Sequence, residues 1–345
     1  MILVLALAAG LWGFGALFGA SRQARSGMVF GLWAGVIGLH LGLAEGHPLR
    51  MATGGDARIW WILGGFAALG GLYFAGIGRL KRRFAAVVLV PAQGAFQPAE
   101  LDRYARHIML REIGGPGQGK LKAAKVLVIG AGGLGSPALL YLTAAGVGTI
   151  GVIDDDVVEG SNLQRQIIHA DQRIGMAKVQ SAATAMKELN PFVAVRPYQR
   201  RLTEDIAAEL IADYDMVLDG SDNFDTRYLV NRVCVALRKP LISGAITQWE
   251  GQLSLFDSGH GGPCYECIFP VRPAPGTVPT CAEAGVAAPL PGVIGAMMAM
   301  EAVKHITGAG ETLKGRLMIH DALFLETRVI AVKRRADCSV CGVSH

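Results

Sequence analysis

Hydrophobic residues in this chain are concentrated at the N-terminus, where three long apolar runs carry no Asp, Glu, Lys or Arg. They cover residues 1–20, 28–44 and 59–78. At about 1.5 Å per helical residue, each run approaches the roughly 30 Å hydrocarbon core of a bilayer. The pattern predicts three transmembrane helices, of which the middle one is the shortest. A buried hairpin of a soluble protein is the alternative interpretation.

Basic residues indicate how these helices are oriented. Four basic residues lie within 79–83, directly after the third run, whereas only Arg22 and Arg25 separate the first two runs. By the positive-inside rule, the chain after residue 83 is expected in the cytoplasm, and three spans then place the N-terminus outside. Arg22 and Arg25 fall on the outer side in this arrangement, against the rule. We therefore expect a multi-pass anchor, residues 1–83, in the inner (cytoplasmic) membrane.

After a short linker, residues 84–99, the pattern changes to short apolar runs that alternate with helical periodicity. Strands are predicted at 125–130, 149–156, 193–198, 215–220 and 240–245. Helices are predicted at 100–113, 136–146, 175–189, 204–212, 224–238 and 292–307. This alternation favours an α/β domain over residues 100–345, with a doubly wound, Rossmann-like, mostly parallel sheet. Residues 251–256 and 315–321 would extend the sheet as an antiparallel part, and 270–292 reads as an irregular Pro- and Gly-rich loop.

The net charge becomes informative when it is divided between residues 1–83 and the rest of the chain. The whole chain carries +5, but residues 1–83 contribute +6 and the remainder sums to −1. The basic balance thus belongs to the predicted anchor. No nucleic-acid partner is expected, because the remaining chain has no basic tract.

A glycine-rich stretch supplies the first candidate chemistry. Gly130, Gly132 and Gly135 follow the apolar run KVLVI and open a predicted helix. Backbone N–H groups at such a helix start bind phosphate, and Asp154 closes the second predicted strand, in the region where a carboxylate binds a ribose hydroxyl. The pattern indicates a nucleotide site. It leaves open whether the nucleotide is NAD in an oxidoreductase or another one.

Four of the six cysteines form two CxxC pairs, Cys264 with Cys267 and Cys338 with Cys341. Two such pairs are typical of a tetrahedral structural zinc site. Disulfides are disfavoured because this region is expected in the reducing cytoplasm.

The other two cysteines differ from these pairs. Cys234 lies in a helical apolar pattern and is expected in the core. Cys281 lies in PTCAEAGV within the Pro- and Gly-rich loop, and is interpreted either as a nucleophile or acyl acceptor or as an inert loop cysteine.

Two polar clusters add charged residues to the predicted nucleotide site. Arg165, in the stretch 161–166, and Lys178 are placed to meet phosphates, while Asp219 and Asp222 follow a strand where a carboxylate can hold Mg²⁺. Each alone could be a helix cap or a surface ion pair. Together they describe a site for a triphosphate with its metal, which a redox cofactor does not need.

In sequence order these motifs resemble one family. They are RYARHI (103–108), GAGGLGS (130–136), DDDVVEGSNLQRQ (154–166), GMAKV (175–179), LDGSDN (218–223), EGQ (250–252), CYEC (264–267), TCAEAGV (280–286) and CSVC (338–341). The set resembles the ThiF/MoeB/HesA family, relatives of the ubiquitin-activating enzymes, and most closely its MoeB-type molybdopterin-synthase adenylyltransferases. The resemblance covers about residues 100–345. The apolar N-terminus departs from the family's usual soluble form.

The resemblance implies a homodimeric adenylyltransferase that uses ATP and Mg²⁺. Its substrate would be the C-terminal glycine of a small ubiquitin-like sulfur carrier ending in Gly-Gly, and pyrophosphate would be released. Molybdenum cofactor biosynthesis is the expected pathway, with thiamine biosynthesis as the alternative. A sulfurtransferase or cysteine desulfurase would supply the sulfur.

The resemblance also assigns roles to individual residues. It implies ATP contacts for Gly130, Gly132, Gly133, Gly135, Asp154, Ser161, Asn162, Leu163, Gln164, Arg165, Lys178, Asp222 and Asn223. It gives Mg²⁺ to Asp222 and zinc to Cys264, Cys267, Cys338 and Cys341. Arg106 would reach into the partner's site, and Cys281 would be the crossover-loop thiol.

This assignment agrees with the chemistry, since a carboxylate attacking an α-phosphate needs charge neutralisation and no general base. An NAD-dependent oxidoreductase leaves Lys178 and the CxxC pairs without a role. A non-catalytic docking scaffold leaves Arg106, Arg165 and Asp222 without one. A tRNA-modifying dehydratase of the same family is disfavoured by the CxxC pairs, whereas the thiazole branch shares nearly every motif.

Overall fold

The computed structural model describes residues 2–85, 96–274 and 281–342. The chain divides into two compact units, Met1–Pro91 and Ala92–His345. Most of the predicted linker, 84–99, lies outside the described residues. The domain boundaries at residues 83 and 100 therefore stay a prediction.

The first unit is helical. Its helices are α1 (Ile2–Leu17), α2 (Arg22–Gly42), α3 (Pro48–Thr53) and α4 (Ala57–Ala85). Most of each apolar run is thus helical, and the short α3 was not predicted. Tryptophan and histidine side chains join the helices: Trp33 Nε1 donates to the Trp60 carbonyl at 3.0 Å, and His40 Nε2 lies 3.0 Å from Thr53 Oγ1.

The prediction of three membrane-spanning helices is not confirmed. By length and composition, one described helix, Ala24–Gly42, is able to cross a membrane, while Leu3–Leu17 is apolar but shorter. A 16-residue helix such as α1 is only about 24 Å long, below the roughly 30 Å of a hydrocarbon core. A single candidate is weak support, because core helices and signal sequences have the same character.

An eight-stranded sheet forms the centre of the second unit. The strands are β1 (Lys125–Ile129), β2 (Thr149–Ile153), β3 (Ala194–Tyr198), β4 (Met216–Asp219), β5 (Leu241–Ile246), β6 (Glu250–Phe256), β7 (Arg316–Asp321) and β8 (Glu326–Ala331). Their order is β3-β2-β1-β4-β5-β6-β7-β8. Strands β1 to β5 pair in parallel and β6 to β8 continue the sheet in antiparallel pairs. The predicted doubly wound sheet with an antiparallel C-terminal extension is confirmed.

Helices cover both faces of this sheet. They are α5 (Pro98–Ile108), α6 (Gly114–Ala123), α7 (Gly135–Ala145), α8 (Lys178–Leu189), α9 (Glu204–Ala212), α10 (Phe224–Ala236), α11 (Tyr265–Ile268), α12 (Cys281–Ala284) and α13 (Pro289–Thr307). One apolar core lies between the sheet and α6, α7, α8 and α13, and a second lies under α9 and α10. Strands covered on both faces need no polar alternation, and KVLVI in β1 accordingly buries four of its five residues.

The strand order reverses between β1 and β4, which are neighbours with Ile129 opposite Asp219. Open α/β sheets bind ligands at the carboxyl ends of the strands where the order reverses. The glycine loop follows β1 and the Asp219–Asp222 stretch follows β4. The topology therefore brings these two distant motifs to one crevice.

Several elements differ from the sequence prediction. The predicted helix 100–113 ends at Ile108, and the glycine-rich stretch after it forms α6, where packing of buried Leu121 outweighs the low helix propensity of glycine. Strand β8 was not predicted because all six of its residues are exposed and lack alternation. The predicted loop 270–292 contains α12 and the first turn of α13.

Candidate active site

The glycine loop turns tightly from β1 into α7, and its glycines are required by geometry. Gly130 has a φ of +88°, which side chains rarely adopt. A Cβ on Gly135 would lie 1.9 Å from the Gly130 carbonyl oxygen, and one on Gly133 would lie 3.1 Å from Pro291 Cβ. Neither glycine can be replaced without moving backbone or the first turn of α13.

Two amide groups of this loop are open to a ligand. The N–H groups of Gly132 and Gly133 donate to no acceptor within residues 2–85, 96–274 and 281–342. They precede α7, whose N-terminus carries partial positive charge. The loop thus presents unpaired donors at a helix start, which is the arrangement that binds phosphate.

Asp154 follows β2 and holds the glycine loop from its other side. Its Oδ2 accepts from the Ala131 N–H at 2.8 Å, and its Oδ1 accepts from the Asp156 N–H at 2.9 Å. Burial raises the pKa of the Asp154 carboxyl, and these two hydrogen bonds oppose that rise. In the described structure Asp154 is therefore a loop anchor at the position where the sequence predicts the ribose ligand.

The stretch 160–166 packs over the loop. Ser161 and Asn162 lie in a short 3-10 turn, Gly160–Asn162, with Leu163 and Gln164 directly after it. Arg165 Nη2 donates to Asn162 Oδ1 at 2.9 Å, and Arg165 Cγ is 3.7 Å from where a Gly133 Cβ would stand. The Arg165 side chain thus passes Gly133, and Asn162 holds its guanidinium.

Lys178 begins α8 and brings a second cation to this edge. Its side chain is 6% exposed, and Nζ pairs with Asp156 Oδ2 at 2.8 Å. The sequence interpretation named Lys178 but not Asp156. The signal for it was present, because Asp156 ends the acidic run 154–156 that follows the second strand.

Asp222 and Asn223 lie in the crevice opposite the glycine loop. Asp222 is exposed, and its carboxylate has no hydrogen-bond or ion-pair partner among the side chains that the structure describes. Asn223 caps α10, because its Oδ1 accepts from the N–H groups of Asp225 and Thr226. Gly220 allows the two loops to approach closely, because a Cβ added there would lie only 3.2 Å from the Gly135 nitrogen.

A buried ionic network supports the Asp222 stretch from below. Asp219 is fully buried, accepts from the Ser221 N–H at 3.0 Å and lies 3.8 Å from Arg227 Nη1. Arg227 in turn donates to Ser243 Oγ at 2.9 Å and to the Gly244 carbonyl at 2.8 Å. Sequence reasoning missed Arg227. A cation inside the apolar periodicity of a helix is the signal that could have found it.

Arg106 lies away from this crevice. It is exposed on α5 and lines a surface cavity of about 170 Å³ with Tyr141, Ala144 and Ala145 at the C-terminal end of α7. The glycine loop is at the other end of α7, which at 11 residues is about 16 Å long. Within one chain the structure therefore does not bring Arg106 together with the other predicted site residues.

The four paired cysteines form one buried cluster. Sγ of Cys264 lies 3.9 Å from that of Cys267 and 3.6 Å from that of Cys338, and the Cys267 and Cys341 sulfurs are 3.3 Å apart. Zn–S bonds of about 2.3 Å give a tetrahedron with edges near 3.8 Å, so the four thiolates fit a zinc ion. The Arg335 N–H also donates to Cys267 Sγ at 3.4 Å, as expected around a metal-bound thiolate.

The remaining predicted thiol is only partly placed. Cys281 begins α12, a four-residue helix, and its side chain lies outside the described atoms. Cys234 is buried in α10 and outside the cysteine cluster, which agrees with the predicted core position.

Comparisons with known proteins identify the family of this chain. The ThiF family profile matches residues 104–340. A sulfur carrier protein adenylyltransferase of Thermus thermophilus is 50% identical over 247 residues, which cover 70% of this chain and 91% of that protein. A SAMP-activating enzyme E1 of Haloferax volcanii is 49% identical over 243 residues, covering 70% and 89%.

Among solved structures, Escherichia coli MccB with MccA-N7isoASN matches with a TM-score of 0.63 and 25% identity, covering 70% of this chain and 75% of that chain. The region that the family profile matches, residues 104–340, lies within the second unit, which contains the glycine loop, Lys178 and Asp222. On these grounds the chain belongs to the ThiF family and is an adenylyltransferase.

Proposed function

We propose that this protein adenylylates the C-terminal glycine of a small ubiquitin-like sulfur carrier that ends in Gly-Gly. A carrier carboxylate oxygen attacks the α-phosphorus of ATP, the bond between the α-phosphorus and the bridging oxygen breaks, and pyrophosphate leaves. The observation that carries the proposal is the glycine loop after β1, whose unpaired Gly132 and Gly133 amides precede α7 and whose neighbour is the Asp219–Asp222 stretch after β4. Relatives that are 49 and 50% identical and are named for carrier activation support the substrate class.

The residues of this crevice would act by charge and position. The Gly132 and Gly133 amides would bind phosphate oxygens, while Arg165 and Lys178 would neutralise charge that builds up on the departing pyrophosphate. Such preorganised electrostatics is commonly the largest catalytic contribution, and no side chain here has to accept a proton. Adenylyl transfer thus fits the crevice without a general base.

Mg²⁺ would be held by Asp222. A single unpartnered, exposed carboxylate suits this ion, which keeps several waters and takes its other ligands from substrate phosphates. When bound, the ion would supply positive charge to the phosphate oxygens. Zinc would be held by the four-cysteine cluster as a structural ion, tying the segment that contains Cys338 and Cys341 to the rest of the second unit.

The test is ATP–pyrophosphate exchange by the purified full chain with candidate carriers ending in Gly-Gly. Exchange that requires one carrier, and is lost when its terminal glycine is removed, is the expected result. ATP binding without exchange for any carrier would favour a docking scaffold instead. Binding of NAD in place of ATP would favour the oxidoreductase.

For the pathway we propose molybdenum cofactor biosynthesis, with thiamine biosynthesis as the alternative. Exchange assays with a molybdopterin-synthase small subunit and with a thiamine-pathway carrier discriminate between them. A sulfurtransferase or cysteine desulfurase would then supply a persulfide, whose terminal sulfur displaces AMP from the acyl-adenylate, and a thiol would reduce the resulting acyl disulfide to the thiocarboxylate. Cys281 is the candidate thiol for that transfer, and Cys281→Ala would then retain exchange but lose thiocarboxylate formation.

We further propose a homodimer. Arg106 is exposed at the far end of α7 from its own glycine loop, so it could serve a phosphate site only in a second copy. Three cationic side chains rather than two would then surround each of the two sites in the dimer. Light scattering of the purified chain checks the oligomeric state.

We also propose that residues 1–83 anchor the protein in the inner membrane, with the N-terminus outside and the catalytic unit in the cytoplasm. Large apolar side chains at the surface of the first unit support this: Phe14, Leu17, Phe30, Leu41, Phe66 and Leu72. A reporter fused after Arg83 should give a cytoplasmic signal, and the chain should resist alkaline extraction from membranes. A periplasmic signal would overturn the orientation.

A further inference from the structure

His169 connects two parts of the phosphate-binding crevice and was not among the predicted site residues. It is 7% exposed, in the loop between the 160–166 stretch and α8. Its Nε2 lies 2.9 Å from the Ala131 carbonyl oxygen, in the middle of the glycine loop. Its Nδ1 lies 2.9 Å from Ser181 Oγ, one turn along α8 from Lys178.

The partners of His169 determine its tautomer. A carbonyl oxygen can only accept, so Nε2 carries the hydrogen and donates to Ala131. The neutral ring then offers a lone pair at Nδ1, to which the Ser181 hydroxyl donates. Burial, helped by the positive charges of Lys178 and Arg173 and opposed by the hydrogen bond to Ala131, lowers the pKa of His169 to about 4. The imidazole is therefore neutral near pH 7.

The hydrogen bond to Ala131 fixes the direction of a ligand-binding amide. The Ala131 carbonyl and the Gly132 N–H belong to one planar, trans peptide unit, so they point in opposite directions. With His169 holding the carbonyl on one side, the Gly132 N–H has to face the other side. That N–H is an unpaired donor of the loop, and Asp154 fixes the preceding peptide through the Ala131 N–H.

We propose that His169 is a positioning residue for nucleotide binding, which orients the Gly132 N–H toward a bound phosphate through its hydrogen bond to the Ala131 carbonyl. This rests on the proposed function, in which the phosphate belongs to ATP. A histidine that only fills the core would contribute to folding and leave nucleotide affinity unchanged.

The test compares substitutions that keep or remove the hydrogen bond to Ala131. His169→Gln places an amide donor near the Nε2 position, His169→Asn places one near Nδ1, and His169→Leu has no donor. Ser181→Ala is the matched control, because it removes the contact to α8 and keeps the contact to the loop. Calorimetric titration of the full chain with ATP measures affinity and stoichiometry separately, and a misfolded fraction lowers only the stoichiometry.

We expect ATP affinity to fall about tenfold in His169→Leu and His169→Asn, and to stay within about threefold of wild type in His169→Gln and Ser181→Ala. If His169→Leu does not fold, the comparison of the Gln and Asn variants decides. Equal ATP affinities of the Gln and Asn variants, or an unchanged ATP affinity of His169→Leu, would overturn the inference. The proposed function would still stand in that case, provided that the wild-type protein binds ATP. Absence of ATP binding by the wild type would overturn both.

Discussion

Lys178 and Asp156 are joined twice. Lys178 Nζ donates to Asp156 Oδ2 at 2.8 Å, and the Lys178 backbone N–H donates to the Asp156 carbonyl at 2.9 Å. The lysine side chain is 6% exposed and the aspartate side chain is 66% exposed. The exposed Asp156 carboxylate therefore pairs with the buried Lys178 ammonium, and a phosphate that binds Lys178 would have to compete with Asp156.

This competition predicts opposite effects for the two partners. Asp156→Asn should tighten ATP binding by up to about tenfold, because it removes both a competitor for Lys178 and a charge that repels phosphate. Lys178→Ala should weaken binding by at least tenfold. Calorimetric titration measures both, with Asp155→Asn as the control, since Asp155 is exposed and does not contact Lys178. Equal effects of the two asparagine variants would show that general charge, and not the pair, is responsible.

Removal of the metal ligand should abolish catalysis selectively. Asp222→Ala is expected to lower ATP–pyrophosphate exchange by about 10²–10³-fold, because charge on the leaving pyrophosphate is no longer neutralised. Asp225→Ala is the matched control: Asp225 is also an exposed acid in this stretch, but it pairs with Arg272. Exchange that survives in Asp222→Ala would contradict the Mg²⁺ assignment.

Arg106 should act in the partner's site. Arg106→Ala and Asp222→Ala chains should each be inactive alone, yet mixed dimers contain one site with both residues intact. Random mixing should then restore about a quarter of wild-type exchange. Arg103→Ala serves as the control, since Arg103 binds the Leu189 carbonyl of its own chain at 2.6 Å. Mixtures that stay inactive would show that Arg106 does not complement across subunits.

The cysteine cluster should hold one zinc ion per chain. Cys338→Ser should lower the zinc content, measured by elemental analysis, and lower Tm by about 10 °C, because metal-binding energy is folding energy. Cys234→Ala should keep its zinc, since Cys234 is buried elsewhere. Full zinc content in Cys338→Ser would contradict the four-cysteine site.

His169 should make stability depend on pH in a defined window. Its pKa is about 4 in the folded chain against 6.5 unperturbed, so the unfolded chain binds the proton more readily between these values. The stabilisation is complete above pH 6.5 and is lost as pH falls to about 4, by on the order of 3 kcal/mol in total. Lys178 and Arg173 are the charged groups that act on the ring.

Urea unfolding of wild type and His169→Gln at pH 7 and pH 4.5 measures this effect. The stability difference between the two proteins should shift in favour of the variant at the lower pH. A difference that is the same at both pH values would show that His169 does not titrate as expected.

Most of the sheet could be predicted because its strands are short apolar runs between helical segments. The parallel strands β1 to β5 lie within a few residues of their predicted positions. Strand β8 could not be predicted. It is an exposed edge strand, ETRVIA, and its conformation is specified by its pairing with β7 and not by its own sequence pattern. The glycine-rich helix α6 was not predicted for a similar reason, because burial of Leu121 in the tertiary structure decides its conformation.

The sequence by itself determined the chemistry of the site: the glycine loop, the cations Arg165 and Lys178, the carboxylate Asp222 and two cysteine pairs. These follow from residue types at fixed spacing, which local backbone geometry requires. Only the tertiary structure decided which groups meet. His169 and Asp156 gain their partners through hydrogen bonds across loops, and Arg106 lies at the far end of α7, because strand order and helix packing set distances that no spacing along the chain encodes.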